Sequence, residues 1–309
     1  MFCTYKPPCY LSGANPFDVG GKLDTQVLFG VGPKSDKPRI LPVSFEVKLA
    51  ELRSKYRELI PPHGEAISPL DVIENFRNVG DHPSCSGEVF QLELFIKNLV
   101  DIKDRRPEIF SKLRRKVYRC GSLSNHIGLR TEARIASSLA RKNLEFAYGD
   151  APDFSVSING STIFIESTNV KLDDVYLGID PRNKLARALR EKSGKSYANL
   201  RTAVSIDATG IFAVWQTQGI QGEKTDLKQF LTPTLEKLNL GAVIIFSLSY
   251  SMEDSWLSYN YSRIDSPRIS KELQLFLDQQ YPFGDFRAKS PEFPGARPPL
   301  VVYRANYSI

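Results

Sequence analysis

The chain has 309 residues, 41% hydrophobic and 25% charged, with a formal net charge of +6 and a sequence pI of about 9.0. This composition is ordinary for a soluble protein and allows one large or two modest domains. No apolar run approaches the ~20 residues of a membrane span, and Met1-Phe2-Cys3-Thr4-Tyr5-Lys6-Pro7-Pro8 lacks the basic-then-apolar layout of a signal peptide, so a cytoplasmic protein is expected.

Residues 1–43, rich in Gly and Pro and without clear periodicity, are expected to form an irregular arm. From Ser44 the pattern turns helical. Phe45, Leu49, Leu52, Tyr56 and Leu59 form one stripe before Pro61-Pro62 stops it. Ser68-Pro69 starts a second helix with Val72, Ile73 and Phe76 inward. A third, about Glu88 to Lys103, carries Val89, Leu92, Phe95, Ile96 and Leu99, and a fourth runs from Pro107 to about Arg119. Residues 44–120 therefore read as an all-helical region, with 121–309 as a second domain. The cysteines Cys3, Cys9, Cys85 and Cys120 lack CxxC spacing and read as free thiols; His82-x-x-Cys85 needs distant partners to hold zinc.

The basic charge is concentrated in two segments. Residues 97–119 hold nine basic residues against three acids, and residues 182–201 hold seven against one, each a net +6. Such segments attract a polyanion, although a charge run is also an ordinary solvated helix face. Within them Arg114, Arg115, Lys116, Arg187 and Arg190 are the candidate nucleic-acid contacts.

A helix from about Ser124 to Asn143 follows, with Leu129, Ile135, Ala136 and Leu139 on one stripe and Glu132 among them. Position 129 is Leu, so Glu132 has no capping-box partner three residues earlier. An acid on an apolar face needs a counter-charge, and a salt bridge to Arg115 or a similar residue is the structural alternative to a functional role.

After a short strand at Glu145 to Tyr148, Asp153 to Thr168 reads as one β-hairpin, with Asn159-Gly160 supplying the positive φ angles of a type I′ turn. With those two residues as the loop, Asp153 faces Glu166 across the strands. Phe154, Val156, Ile158, Ile163 and Ile165 share the core face, and Asp153 and Glu166 share the other. Like charges at such a position ask for a cation or a proton, and Mg²⁺ suits carboxylates and water better than zinc does. The plain alternative is an exposed hairpin whose acids face solvent.

Asp180-Pro181 opens a helix expected to last to about Ala198. Leu185, Leu189 and Lys192 fall on one stripe, so Lys192 points toward the sheet, with Lys195 at the stripe's edge. Ala203–Asp207, Ile211–Trp215 and the strongly apolar Ala242–Leu248 read as strands, the last of them central, with a helix from Asp226 to Leu238. Tyr250, Trp256, Tyr259 and Tyr261 read as an aromatic Ser-rich loop that either stacks on bases or covers a sheet edge. A helix at Ser270 to Gln280, a Pro-rich loop from Pro282 to Pro299 and a strand at Leu300 to Arg304 complete the chain.

The succession of a helix with inward Glu132, a strand with Pro152-Asp153, a strand with Glu166-Ser167-Thr168, a basic helix and a further strand resembles the PD-(D/E)xK nuclease superfamily over about residues 122–250. The resemblance implies an α/β fold, a restriction-endonuclease-like mixed central sheet flanked by helices, joined here to the all-helical N-terminal region. It also implies that Asp153, Glu166 and Glu132 bind Mg²⁺ or Mn²⁺. One departure matters: Thr168 stands where the family's E-x-K lysine is found. A lysine migrated to the following helix, Lys192 or Lys195, would then supply the catalytic ammonium, while Lys171 leaves the strand. The implied activity is a metal-dependent endodeoxyribonuclease of restriction or defence type, with DNA as partner and homodimerisation open. The alternatives are an RNA or structure-specific nuclease, and a non-catalytic nucleic-acid-binding module. No Walker A pattern and no Ser-His-Asp or Cys-His spacing competes with this reading.

Overall fold

The structure, a computed structural model, describes residues 43–62, 68–78, 82–121, 123–170, 181–209, 226–251, 256–282 and 303–304. The expected arm at 1–42, the strand at 211–215, Lys171 and the loop after Pro282 lie outside these residues. Among the described residues five helices come first: α1 (Val43–Leu59), α2 (Pro69–Asn78), α3 (His82–Arg105), α4 (Pro107–Tyr118) and α5 (Leu123–Arg141). Strands β1 (Phe146–Tyr148), β2 (Phe154–Ile158) and β3 (Ser161–Asn169) follow, then α6 (Pro181–Ser193), β4 (Thr202–Asp207) and α7 (Asp226–Lys237). The rest are β5 (Ala242–Ser251), β6 (Trp256–Asp265), α8 (Lys271–Gln280) and the two-residue β7 (Tyr303–Arg304).

The strands form one mixed sheet in sequence order. β1, β2 and β3 are antiparallel, β3, β4 and β5 are parallel, and β5 to β7 are antiparallel again. The parallel steps need crossovers, which carry α6 and α7. The chain is thus an α/β protein.

Alternation along the strands divides the interior in two. Ile165 of β3, Ala203 of β4 and Ala242, Ile244 and Phe246 of β5 join a core with Phe45, Ile73, Phe95, Leu113 and Ile135 of α1–α5 and Leu277 of α8. Val204, Ile206, Val243 and Ile245 turn the other way, onto Leu185 and Leu189 of α6 and Leu231 and Leu235 of α7. The N-terminal helices therefore pack on one sheet face and α6 and α7 on the other. The stripe predicted for α1 is buried throughout, and β5 lies between β4 and β6 with Ala242 to Ser247 all buried. Charge pairs fasten the helical layer: Arg130 of α5 meets Glu88 of α3 at 2.6 Å, both buried, and Arg141 meets Asp101 at 2.8 Å.

The hairpin register is the one predicted. Ile158 pairs with Ser161, Val156 with Ile163 and Phe154 with Ile165. Asn159 at φ 48° and Gly160 at φ 77° give the two positive angles of the turn. Three expectations are corrected. α3 begins at His82, a turn and a half before Glu88. α6 ends at Ser193 rather than at Ala198, since Gly194 follows and carries no helix-stabilising side chain. Tyr250, Trp256, Tyr259 and Tyr261, expected in a loop, lie on strands: Tyr250 near the end of β5 and the other three on β6, where β-favouring aromatic residues belong. Tyr261 packs edge-on against Tyr281 and tilted against Phe246, as a cover for the sheet. Among the described residues, no helix is long and apolar enough to cross a membrane.

Candidate active site

Asp153 and Glu166 are adjacent and nearly buried, at 6% and 5% exposure, so the solvent-facing alternative for the hairpin does not hold. Their polar partners come from the hairpin itself. The main-chain N–H and hydroxyl of Ser167 both donate to Asp153 Oδ2, each at 2.7 Å, and the N–H of Asp153 donates to Glu166 Oε2 at 3.2 Å. Burial, then the charges of Glu132 and Glu166, hold the Asp153 carboxyl well above the ordinary range, against the lowering pull of Ser167. A pair of acids so placed is an incomplete electrostatic arrangement that positive charge relieves.

Positive charge arrives from both layers. Lys192, carried by the buried stripe of Leu185 and Leu189, donates to Glu166 Oε1 at 2.5 Å. It reaches Glu166 because that side chain lies on the sheet face opposite Ile165, the face covered by α6. Tyr197 lies in the same field, its phenol raised first by burial and then by Glu166. Lys195, the second candidate, is exposed beyond the end of α6 and is a correction: the turn after Ser193 carries it away from the stripe.

On the other side, Glu132 accepts hydrogen bonds from Tyr148 Oη and, at 3.0 Å, from Lys116 Nζ. The expected salt-bridge partner near Arg115 is thus its neighbour Lys116. The same ammonium lies 3.9 Å from Asp153 Oδ1. Among the described residues no three acid, histidine or cysteine side chains converge as a metal-holding group. Asp153 and Glu166 carry oxygen donors of the kind a hard divalent cation takes together with water, while Glu132 is paired with Lys116.

The predicted nucleic-acid contacts separate. Arg115 and Arg190 are exposed; Arg187 is exposed and paired with Glu191 at 2.9 Å. Arg114 lies over the Phe110 ring at 5.7 Å, and Lys116 belongs to the acid cluster rather than to the surface. A cleft of about 280 Å³ opens beside the cluster, lined by Lys116, Arg119, Asn125, Glu132, Ser167 and Asn169 among others.

Sequence reasoning placed Lys116 among the nucleic-acid contacts rather than with the acids, and missed Tyr148 and Ser167 as parts of the cluster. Lys116 has a signal, since it borders the apolar stripe of Ile109, Leu113 and Val117 on α4. Tyr148 has one in the alternation of Phe146 and Tyr148 toward the core. Cys120 is a buried thiol that forms no disulfide, and Asp207, at the end of β4, accepts from Thr131 at 3.2 Å outside the cluster. Neither family models, curated proteins nor solved structures yield a match to this chain.

Proposed function

We propose that the protein is a metal-dependent phosphodiesterase, an endonuclease acting on DNA, on a restriction-endonuclease-like fold. The observation that carries this reading is the ammonium of Lys192, 2.5 Å from Glu166, where Thr168 leaves the hairpin without a lysine of its own. The placement of Glu132 on α5, of Asp153 and Glu166 across one hairpin, and of Lys192 on the crossover helix supports the finer fold assignment.

Asp153 and Glu166 would hold Mg²⁺ or Mn²⁺, which when bound supplies Lewis-acid activation of water and neutralises phosphate charge. The protein's own groups do the rest. Ser167 fixes Asp153 through Oδ2 and so orients the carboxylate. Lys192 orients Glu166 and places a fixed positive charge beside the acid pair, where a nucleophile or a phosphate oxygen is steadied. The cleft next to the cluster, with Arg119 and Asn125 on its wall, gives a polyanion a path to the acids.

The absent E-x-K lysine favours a second reading, a binding module that kept the basic surface without catalysis. Nicking of supercoiled plasmid with Mg²⁺ or Mn²⁺, by the wild type and by Asp153→Ala, separates the two. The enzyme reading expects nicking by the wild type alone. Tight DNA binding without nicking under either metal would establish the binding module instead.

A further inference from the structure

Two ammoniums flank the acid pair, and they come from opposite layers of the fold. Both donors of Ser167 fall on Asp153 Oδ2, so Oδ1 is the oxygen left toward the cluster, and Lys116 faces it at 3.9 Å. Lys116 is fixed from several further directions. Its Nζ donates to Glu132 at 3.0 Å and to the Gly149 carbonyl at 3.1 Å, lies 3.5 Å from Asp150, and stands 4.6 Å over the Tyr148 ring. Tyr148 in turn holds Glu132 through its hydroxyl. The ammonium is therefore built into the junction of α4, α5 and β1, not a mobile surface charge.

A positive group held there neutralises the same carboxylates that a divalent cation would, and like charges a few ångströms apart repel strongly where water is partly excluded. We propose that Lys116 is a built-in competitor of the divalent cation: it compensates Asp153 and Glu132 in the cation-free protein and lowers the cation's affinity. The helix α4, which lies outside both the hairpin and α6, thereby sets the metal concentration at which the site loads. Lys192 does not duplicate this role, since its contact is to Glu166. The inference rests on the reading of Asp153 and Glu166 as cation ligands.

The test measures Mn²⁺ affinity of the full chain by electron paramagnetic resonance of the free ion. The proteins compared are the wild type, Lys116→Met, Lys116→Gln, and Lys103→Met, an exposed lysine of α3 that removes the same charge elsewhere. Circular dichroism checks folding; should the methionine variant fail to fold, the glutamine variant keeps a donor for Glu132 while removing the charge. Both Lys116 variants are expected to bind Mn²⁺ about tenfold more tightly or better than the wild type, with Lys103→Met unchanged. If the wild type binds Mn²⁺ and nicks DNA but the Lys116 variants bind no more tightly, the competitor role is overturned and the nuclease reading stands. If the variants tighten while the wild type binds and never nicks, the competitor role stands and the nuclease reading fails. Absence of binding in every protein overturns both.

Discussion

Lys192 and Lys195 are three residues apart, yet one is bonded to Glu166 and the other is in solvent. The difference lies in where α6 stops, and it yields a sharp expectation. Lys192→Ala should cut single-turnover nicking by about 10²-fold or more, the size of a positioned acid–base or electrostatic group, with DNA affinity little changed. Lys195→Ala should behave as wild type; equal losses from both would return the role to the helix's overall charge. A second residue-scale expectation concerns His126, fully buried against the edge of Phe95 at 5.4 Å, with no hydrogen-bond partner among the described residues on either ring nitrogen. Burial, and then Arg130, hold its pKa well below the ordinary 6.5. The folded protein refuses a proton that the unfolded chain accepts, so this residue has no effect above the unfolded value and costs stability as pH falls below it. The loss is at most about 1.4 kcal/mol per pH unit. Melting curves from pH 7.5 to 5 should therefore show a steeper decline for the wild type than for His126→Leu. Parallel curves would mean that the ring takes up its proton in the folded state.

At the scale of elements, α4 faces two ways. Its Lys116 turns to the acid cluster, while Arg115 and the adjoining Arg119 are exposed, and Arg114 is partly spent on the Phe110 ring. Reversing Arg115 and Arg119 together should weaken DNA binding for all sequences alike. It should lower the slope of log K against log salt by about 1.8, two phosphate contacts at about 0.9 each. Titrations at several salt concentrations measure this, and an unchanged slope would remove α4 from the DNA surface. The hairpin was legible in the sequence because an Asn-Gly turn and strict alternation leave one register, and that register alone brings Asp153 to Glu166. The stripe on α6 made Lys192 legible for the same reason, since a period of 3.6 fixes which side chains reach the sheet. Lys116 was legible as a basic residue facing a polyanion but not as a partner of the acids. It borders the apolar stripe of α4, and its partners Glu132, Gly149 and Asp153 come from three later parts of the chain. The core of β5 was legible in its apolar run, whereas its last residues and the whole of β6 were hidden by serines whose loop-like composition outweighed the aromatic residues among them.

For the whole molecule, the question is whether the sheet-bearing part stands without the helices that precede it. α1–α4 bury Phe45, Ile73, Leu92, Phe95, Leu99 and Leu113 in the same core as Ile135 of α5, Ile165 of β3 and Phe246 of β5. Removing residues 1–120 would uncover that sheet face and the buried side of α5 together. It would also strand charge. Arg130 would lose Glu88, Ser137 and Arg141 would lose Asp101, and Glu132 would lose Lys116. Breaking a buried ion pair by deleting one partner costs about 3–5 kcal/mol, before any loss of apolar burial is counted, against a total stability of about 5–15 kcal/mol. A fragment of residues 121–309 is therefore expected to aggregate, or to persist only as a loosely packed state that binds a hydrophobic dye and lacks near-ultraviolet circular dichroism. A soluble fragment that melts cooperatively would show that α5–α8 and the sheet suffice for folding. Because such a fragment would keep Asp153, Glu166 and Lys192 while lacking Lys116, it would also present the acid pair with its second ammonium gone.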